Sequence, residues 1–297
     1  KKVWTETRHT NIEKLLSRVP DMHTRVIPIV DEENKYTGTS ITRTALMNYL
    51  TKLVKPRSLG GLATPLGVYM TDGIHQSGSK NLGLILTGIT FAVFIYIIDY
   101  LTYYIEDLVP DSIVLFSSIL IFLLLIRFTP LSKIHAAEHK TINAIERGFP
   151  LDIEAVKFQS RIHKRCGTNI MVLLFGILFI QAALSDIPFE SMFPNFTEGS
   201  LWFIRFIMAF ISFLFLLSYW KDIGGWIQKY LTTAEPSINQ IKNGIDAGEE
   251  LLKMHKSDTR NISPTFLSKI WNMGLIQIFF TIILTLFIFN LIKQFVL

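Results

Sequence analysis

Five apolar segments, each long enough to cross a bilayer, dominate what this chain can fold into. They run from Leu82 to Ile105, Ser112 to Thr129, Thr168 to Ile187, Leu201 to Trp220 and Ile270 to Ile292. Roughly 20 apolar residues in a helix span the hydrocarbon, and a helix satisfies its own backbone groups there. Nearly half of the chain, 49%, is hydrophobic, and it holds 23 Phe. None of the segments has the form of a cleaved signal peptide, since the first begins only at Leu82. The expected fold class is therefore mainly α, a polytopic α-helical membrane protein with about five transmembrane helices.

The connecting segments orient it. Glu106 to Asp111 and Asp186 to Gly199 each carry three acids and no Lys or Arg. The segments 130–167 and 221–270 hold seven Lys or Arg each, and the stretch before Asn81 holds twelve. Bases alternate sides as five spans require, so the positive-inside rule predicts a plasma-membrane protein with the N-terminus and both basic segments cytoplasmic and the C-terminus outside. The formal charge of +5 then reports attraction to anionic membrane lipid rather than nucleic-acid binding. Asp99, Arg127 and Arg205 lie near span ends, where long side chains reach the interface. No span carries the dense polar stripe of a transport conduit.

Residues 1–57 read as a small α+β cytoplasmic unit. Thr10-Asn11-Ile12-Glu13, followed by Leu15 and Leu16, has the pattern of a capped helix. Arg25 to Asp31 and Tyr36 to Ile41 read as strands around a turn, Glu32 to Lys35, and Arg43 to Leu53 as a second helix. The α-β-β-α order with "VIPIVDEENKYTG" and "ITRTALMNYL" resembles one CBS repeat. That resemblance implies an adenosine-nucleotide site or, because such repeats pair, a homodimer or partner contact. Ala45 stands where the family's ribose-holding acid often follows "TRT". Residues 58–81, with "LGGLATPLGVYMTDG", are too broken by Gly and Pro to span. They read either as a Gly-rich turn or as a loop lining a site within the 82–297 transmembrane domain.

His135-Ala136-Ala137-Glu138-His139 lies in the polar segment after the second span. On a helix, positions i, i+3 and i+4 share a face, so two imidazoles and a carboxylate would point together. Such a pair can hold Zn²⁺, with Glu138 as general base, and H-x-x-E-H is the order of the inverted zinc-peptidase motif. His163 and Cys166 before the third span, and Glu235 in the last cytoplasmic segment, supply further ligand types on the same predicted side. Cys166 is the sole cysteine, so no intrachain disulfide forms.

"HAAEHKTINAIERGFPL", "QSRIHKRCGTN" and "LTTAEPSINQI", in that order between spans, together with "GGLATPLGVYM", resemble the YqhQ-like family of membrane proteins. The family has been described as predicted metal-dependent enzymes, and the resemblance implies that the matching residues form one polar centre. The expected ligands are His135 and His139. Glu235 is the preferred third, as inverted-motif peptidases take a distant Glu, and His163 and Cys166 compete with it. The expected activity is a membrane-embedded metallohydrolase acting on a membrane-associated peptide or lipid. The alternative is a noncatalytic scaffold or sensor in which the same cluster is structural.

Overall fold

The computed structural model describes residues 5–7, 26–42, 59–104, 108–258 and 265–296. The chain divides into two compact units, one of Lys1–Arg57 with Leu252–Ser263 and one of Ser58–Leu251 with Pro264–Leu297.

In the first unit, β1 (Glu6–Thr7) pairs in parallel with β2 (Val26–Val30), which pairs antiparallel with β3 (Tyr36–Thr42). Ile27, Ile29 and Val30 are buried. The Asp31 carboxylate accepts the N–H groups of Glu33 at 3.0 Å and Lys35 at 2.8 Å, and Asn34 takes a left-handed φ of 63°. Asn tolerates that region better than most residues, which is why the turn closes there. Both strands stand where the sequence predicts them. The expected helices around Thr10–Leu16 and Arg43–Leu53 lie outside the described residues.

The second unit opens with a small antiparallel sheet where the sequence predicts only a Gly-rich turn or a site-lining loop. Its strands are β4 (Gly60–Thr64), β5 (Gly67–Thr71) and β6 (Gln76–Gly78), in that order. Pro65 and Leu66 form a two-residue turn, and Gly67 at φ 122° adopts a backbone that only glycine takes freely. Val68, Tyr69 and Met70 are fully buried. Among the described residues ten α-helices follow: α1 (Lys80–Tyr103), α2 (Asp111–Phe128), α3 (Leu131–Arg147), α4 (Ile153–Lys157), α5 (Gly167–Ser185), α6 (Phe189–Met192), α7 (Glu198–Ile227), α8 (Ile238–Ser257), α9 (Phe266–Asn272) and α10 (Leu275–Val296).

Five are long and apolar enough to cross a membrane: α1, α2, α5, α7 with its continuation, and α10. Two differ from their predicted limits by more than two residues. α7 runs on through a π-helical turn, Gln228–Thr232, well past Trp220. The last span starts late because Gly274, at φ 78°, separates it from α9. Glycines let the long helices approach closely. A Cβ at Gly88 of α1 would sit 2.6 Å from Thr281 Cβ of α10, and one at Gly176 of α5 would sit 2.7 Å from Leu216 of α7. No residue of α2 is buried. Arg205 pairs with Glu190 at 2.9 Å, and Arg127 donates to the Thr233 carbonyl at 2.8 Å, so both sit at span ends with polar partners.

The polar segments between spans are helical and packed. From Ala136 to Ile145 every residue of α3 is buried. A Cβ at Gly244 of α8 would lie 3.2 Å from the Ala137 carbonyl, so the two helices approach nearly backbone to backbone. Ala144, Val156, Ile241 and Ile245 make the apolar core between α3, α4 and α8. α3 stops at Gly148, which takes the left-handed cap at φ 78° while Phe149 N–H donates to the Ala144 carbonyl at 2.9 Å.

Candidate metal centre

The histidine motif stands in the middle of α3, so its helical spacing is realised. The His135 and His139 rings lie 4.3 Å apart between centroids, tilted by 58°. His135 Nδ1–H donates to the Thr232 carbonyl at 3.0 Å and His139 Nδ1–H to the Arg161 carbonyl at 2.7 Å. A carbonyl can only accept, so each ring carries its proton on Nδ1 and keeps the Nε2 lone pair. The π turn makes the first of these bonds available. Thr233 N–H reaches back to the Gln228 carbonyl at 3.0 Å, and the distorted turn presents the Thr232 carbonyl to α3.

Cys166 caps the N-terminus of α5 and brings its sulfur to 3.3 Å from His135 Nε2. Ligand atoms of His135, His139 and Cys166 all lie within 4.8 Å of one another. Tetrahedral zinc at ~2.0–2.1 Å from nitrogen and ~2.3 Å from sulfur separates an N and an S ligand by roughly 3.6 Å. The three donors therefore fit a metal ion, and the carbonyls behind both imidazoles are the supports that metal-binding histidines use. Burial pushes the Cys166 thiol up and is partly offset by Thr168; burial, and then the neighbouring His135, pull His139 well below the usual imidazole range. A neutral His139 is ready to ligate, whereas the thiol would release its proton on meeting a cation.

Glu138 is 4% exposed and points between the rings, with Oε2 at 3.9 Å from His135 Nε2 and 3.8 Å from His139 Nε2. Burial pushes its carboxyl up to about 8, with His135 pulling down and Cys166 pushing up. Such a group sits near neutrality, where a carboxyl both takes and returns a proton. Its other side rests on Gly61 of β4, where an added Cβ would come within 2.7 Å of Glu138 Cγ and 2.8 Å of Cδ. The carboxyl thus occupies the space that a side chain on β4 would fill.

Two other predicted ligands stand apart from this group. The ring of His163 is 5.7 Å from that of His139, but its Nε2 faces Glu146 Oε2 at 3.3 Å. Glu235 is 64% exposed, and its carboxylate meets Lys140 Nζ at 2.7 Å and Arg161 Nη1 at 4.0 Å. The reason is electrostatic. Lys140 is a buried ammonium, and it needs an anion beside the Lys157 carbonyl that it also reaches at 2.6 Å.

Several contributors have no motif of their own. Gln228 is fully buried; it accepts the His163 N–H at 2.9 Å and donates to Asn169 Oδ1 at 2.9 Å, tying the π turn to the start of α5. Glu146 also pairs with Arg165. A lone Gln at the end of an apolar run was the only visible signal for the first, and "GG" before "LATP" the signal for Gly61.

The fold and site together define a class: a multi-helix protein with five helices apolar enough to span a membrane among the described residues, and a largely buried cluster of two His, one Cys and one Glu beside a glycine-edged sheet. The chain belongs to the family described as protein of unknown function (DUF1385), whose model matches residues 70–254. It is 30% identical over 150 residues to the uncharacterized protein YqhQ of Bacillus subtilis (strain 168), an alignment covering 46% of this chain and 46% of that relative. The match thus spans about half the length of the curated relative. No solved structure matches the chain.

Proposed function

We propose that this protein is a membrane-embedded metal-dependent hydrolase whose site faces the cytoplasm, with zinc held by His135, His139 and Cys166 and with Glu138 as the acid–base group. The observation that carries the proposal is one cluster. Three ligand atoms lie within 4.8 Å of one another, and a buried carboxyl stands 3.8 and 3.9 Å from the two imidazole nitrogens. When bound, a divalent ion supplies Lewis acidity, polarising a carbonyl and acidifying water. The protein supplies the rest. Thr232 and Arg161 hold both imidazoles in the ligating tautomer, and α3 with β4 keeps bulk water away from Glu138. Hydrolysis breaks a C–N or C–O bond as a water oxygen joins the carbonyl carbon. Glu138 Oε2 takes a proton from that water and returns it to the leaving atom.

A second reading has its own support. Glu138 is near enough to both rings to serve as a fourth ligand, which would close the site and make it structural. Metal analysis of purified wild type, His135→Ala, Cys166→Ser and Glu138→Gln separates the two. The hydrolase requires about one zinc per chain in wild type and Glu138→Gln, lost in the other two. Loss of metal from Glu138→Gln as complete as from His135→Ala would establish the closed structural site. A metal-free wild type after growth and reloading in zinc would refute both.

A further inference from the structure

The outer edge of β4 carries backbone groups that no described strand pairs. In the β4–β5 pair the register runs Gly60↔Thr71, Gly61↔Met70, Leu62↔Tyr69, Ala63↔Val68 and Thr64↔Gly67. A two-residue turn makes its flanking pair a hydrogen-bonded one, and the pattern alternates from there. Gly60, Leu62 and Thr64 therefore turn their N–H and C=O toward β5, while Gly61 and Ala63 turn theirs outward. The other side of β5 agrees: the Val68 carbonyl accepts the Ser79 N–H at 3.0 Å, on the β6 side, so its partner Ala63 faces away. β4 is the end strand of its sheet, and among the described residues no backbone group outside the sheet bonds to Gly61 or Ala63. Residues 60–63 are half-buried rather than covered.

This open edge meets the candidate centre. Gly61, one of the two residues with outward backbone groups, is the residue against which the Glu138 carboxyl rests. That carboxyl is 4% exposed and accepts no hydrogen bond from any described residue. A chain laid antiparallel along β4 would place the residue opposite Gly61 next to the Glu138 carboxyl, whose far oxygen faces the two imidazole nitrogens. A lipid headgroup would use neither the alternating donors and acceptors nor the strand spacing. We infer that the outer edge of β4 is the substrate-docking edge, and that the substrate is an extended polypeptide segment held by main-chain bonds to Gly61 and Ala63. The inference rests on the hydrolase reading and names its substrate class.

Ala63→Pro tests it, because proline removes an outward N–H that the β4–β5 ladder does not use and is tolerated on an edge strand. Ala63→Val keeps the N–H and serves as control. Cells carrying wild type, Glu138→Gln, Ala63→Pro or Ala63→Val in place of the native copy are compared for protein N-termini in the membrane fraction, for lipid composition, and for zinc in the purified protein. The expected result is a set of N-termini missing with Glu138→Gln, reduced about tenfold with Ala63→Pro, preserved with Ala63→Val, and with zinc content unchanged throughout. Retention of those N-termini within twofold in Ala63→Pro overturns the docking edge while leaving the hydrolase in place. A lipid that accumulates in Glu138→Gln without any change in N-termini does the same and makes the substrate a lipid. If wild type and Glu138→Gln match in both N-termini and lipids, the hydrolase itself fails and the docking edge falls with it.

Discussion

Replacing Gly61 with alanine tests the contact between β4 and Glu138 directly. The new Cβ would stand 2.7 Å from Glu138 Cγ and 2.8 Å from Cδ. Ordinary carbon contacts are about 3.5–4.0 Å, so something must give by close to 1 Å. Glu138 is 4% exposed and has little room to retreat. Overpacking of this kind costs about 1–3 kcal/mol. In a Glu138→Ala background the obstructing atoms are gone, and the same Gly61→Ala change should cost almost nothing. The cycle should thus show a coupling of about 1–3 kcal/mol between two residues 77 positions apart in the chain. Denaturant unfolding of the four metal-free proteins in detergent, followed by tryptophan fluorescence, measures it. A Gly61→Ala cost equal in both backgrounds within about 0.5 kcal/mol would show that β4 does not rest on Glu138, and would remove the basis for a carboxyl held against the sheet.

Other outcomes follow from the same geometry. In chelator-treated protein, Glu138 titrates near 8 rather than the ordinary 4.5; the native state then holds one proton more than the unfolded state between those values. Stability therefore falls as pH rises through that window, by up to about 1.4 kcal/mol per unit, and Glu138→Gln should lack this loss; equal slopes between pH 5 and 8 would contradict the buried carboxyl. Glu235→Gln should leave metal content intact and cost about 1 kcal/mol, because the carboxylate it neutralises is 64% exposed although its Lys140 partner is buried; loss of metal would return Glu235 to the ligand set. Cobalt-loaded wild type should show a sulfur-to-metal charge-transfer band that Cys166→Ser abolishes, and its persistence would exclude the thiol as a ligand. In a Cys166→Ser background, Ser257→Cys should resist an impermeant maleimide in intact cells while Ser191→Cys reacts; the reverse would invert the proposed sidedness.

The five long apolar helices were legible because a long apolar run needs no partner to interpret. The same holds for the i, i+3, i+4 face of His135, Glu138 and His139, since a helix fixes those directions locally. The strands at Val26–Val30 and Tyr36–Thr42 were legible from β-branched alternation around Asp31. What the sequence hid depends on distant pairing. The sheet at 60–78 is only weakly marked because glycines at Gly61 and Gly67 serve close approaches, to Glu138 and Asn243, that appear only once the chain is folded. The placement of Glu235 could not be read either. Its charge is set against Lys140, a residue whose burial on α3 has no counterpart in a hydropathy plot.

The π turn at Gln228–Thr232 carries a consequence for chain length. A π turn accommodates one residue more than the α-helix around it. Excising any one of the five residues would let the segment close to regular α geometry within the turn itself, because five π residues and four α residues sweep nearly the same angle. The loss would fall on the wide turn that presents the Thr232 carbonyl to His135. The Thr232 group that meets His135 is backbone, so the side chains after Gln228 can be exchanged more freely than the number of residues. Aligned relatives sharing this centre should therefore vary in letters across 228–232 and never in count, and a gap there would mark a protein that has given the centre up.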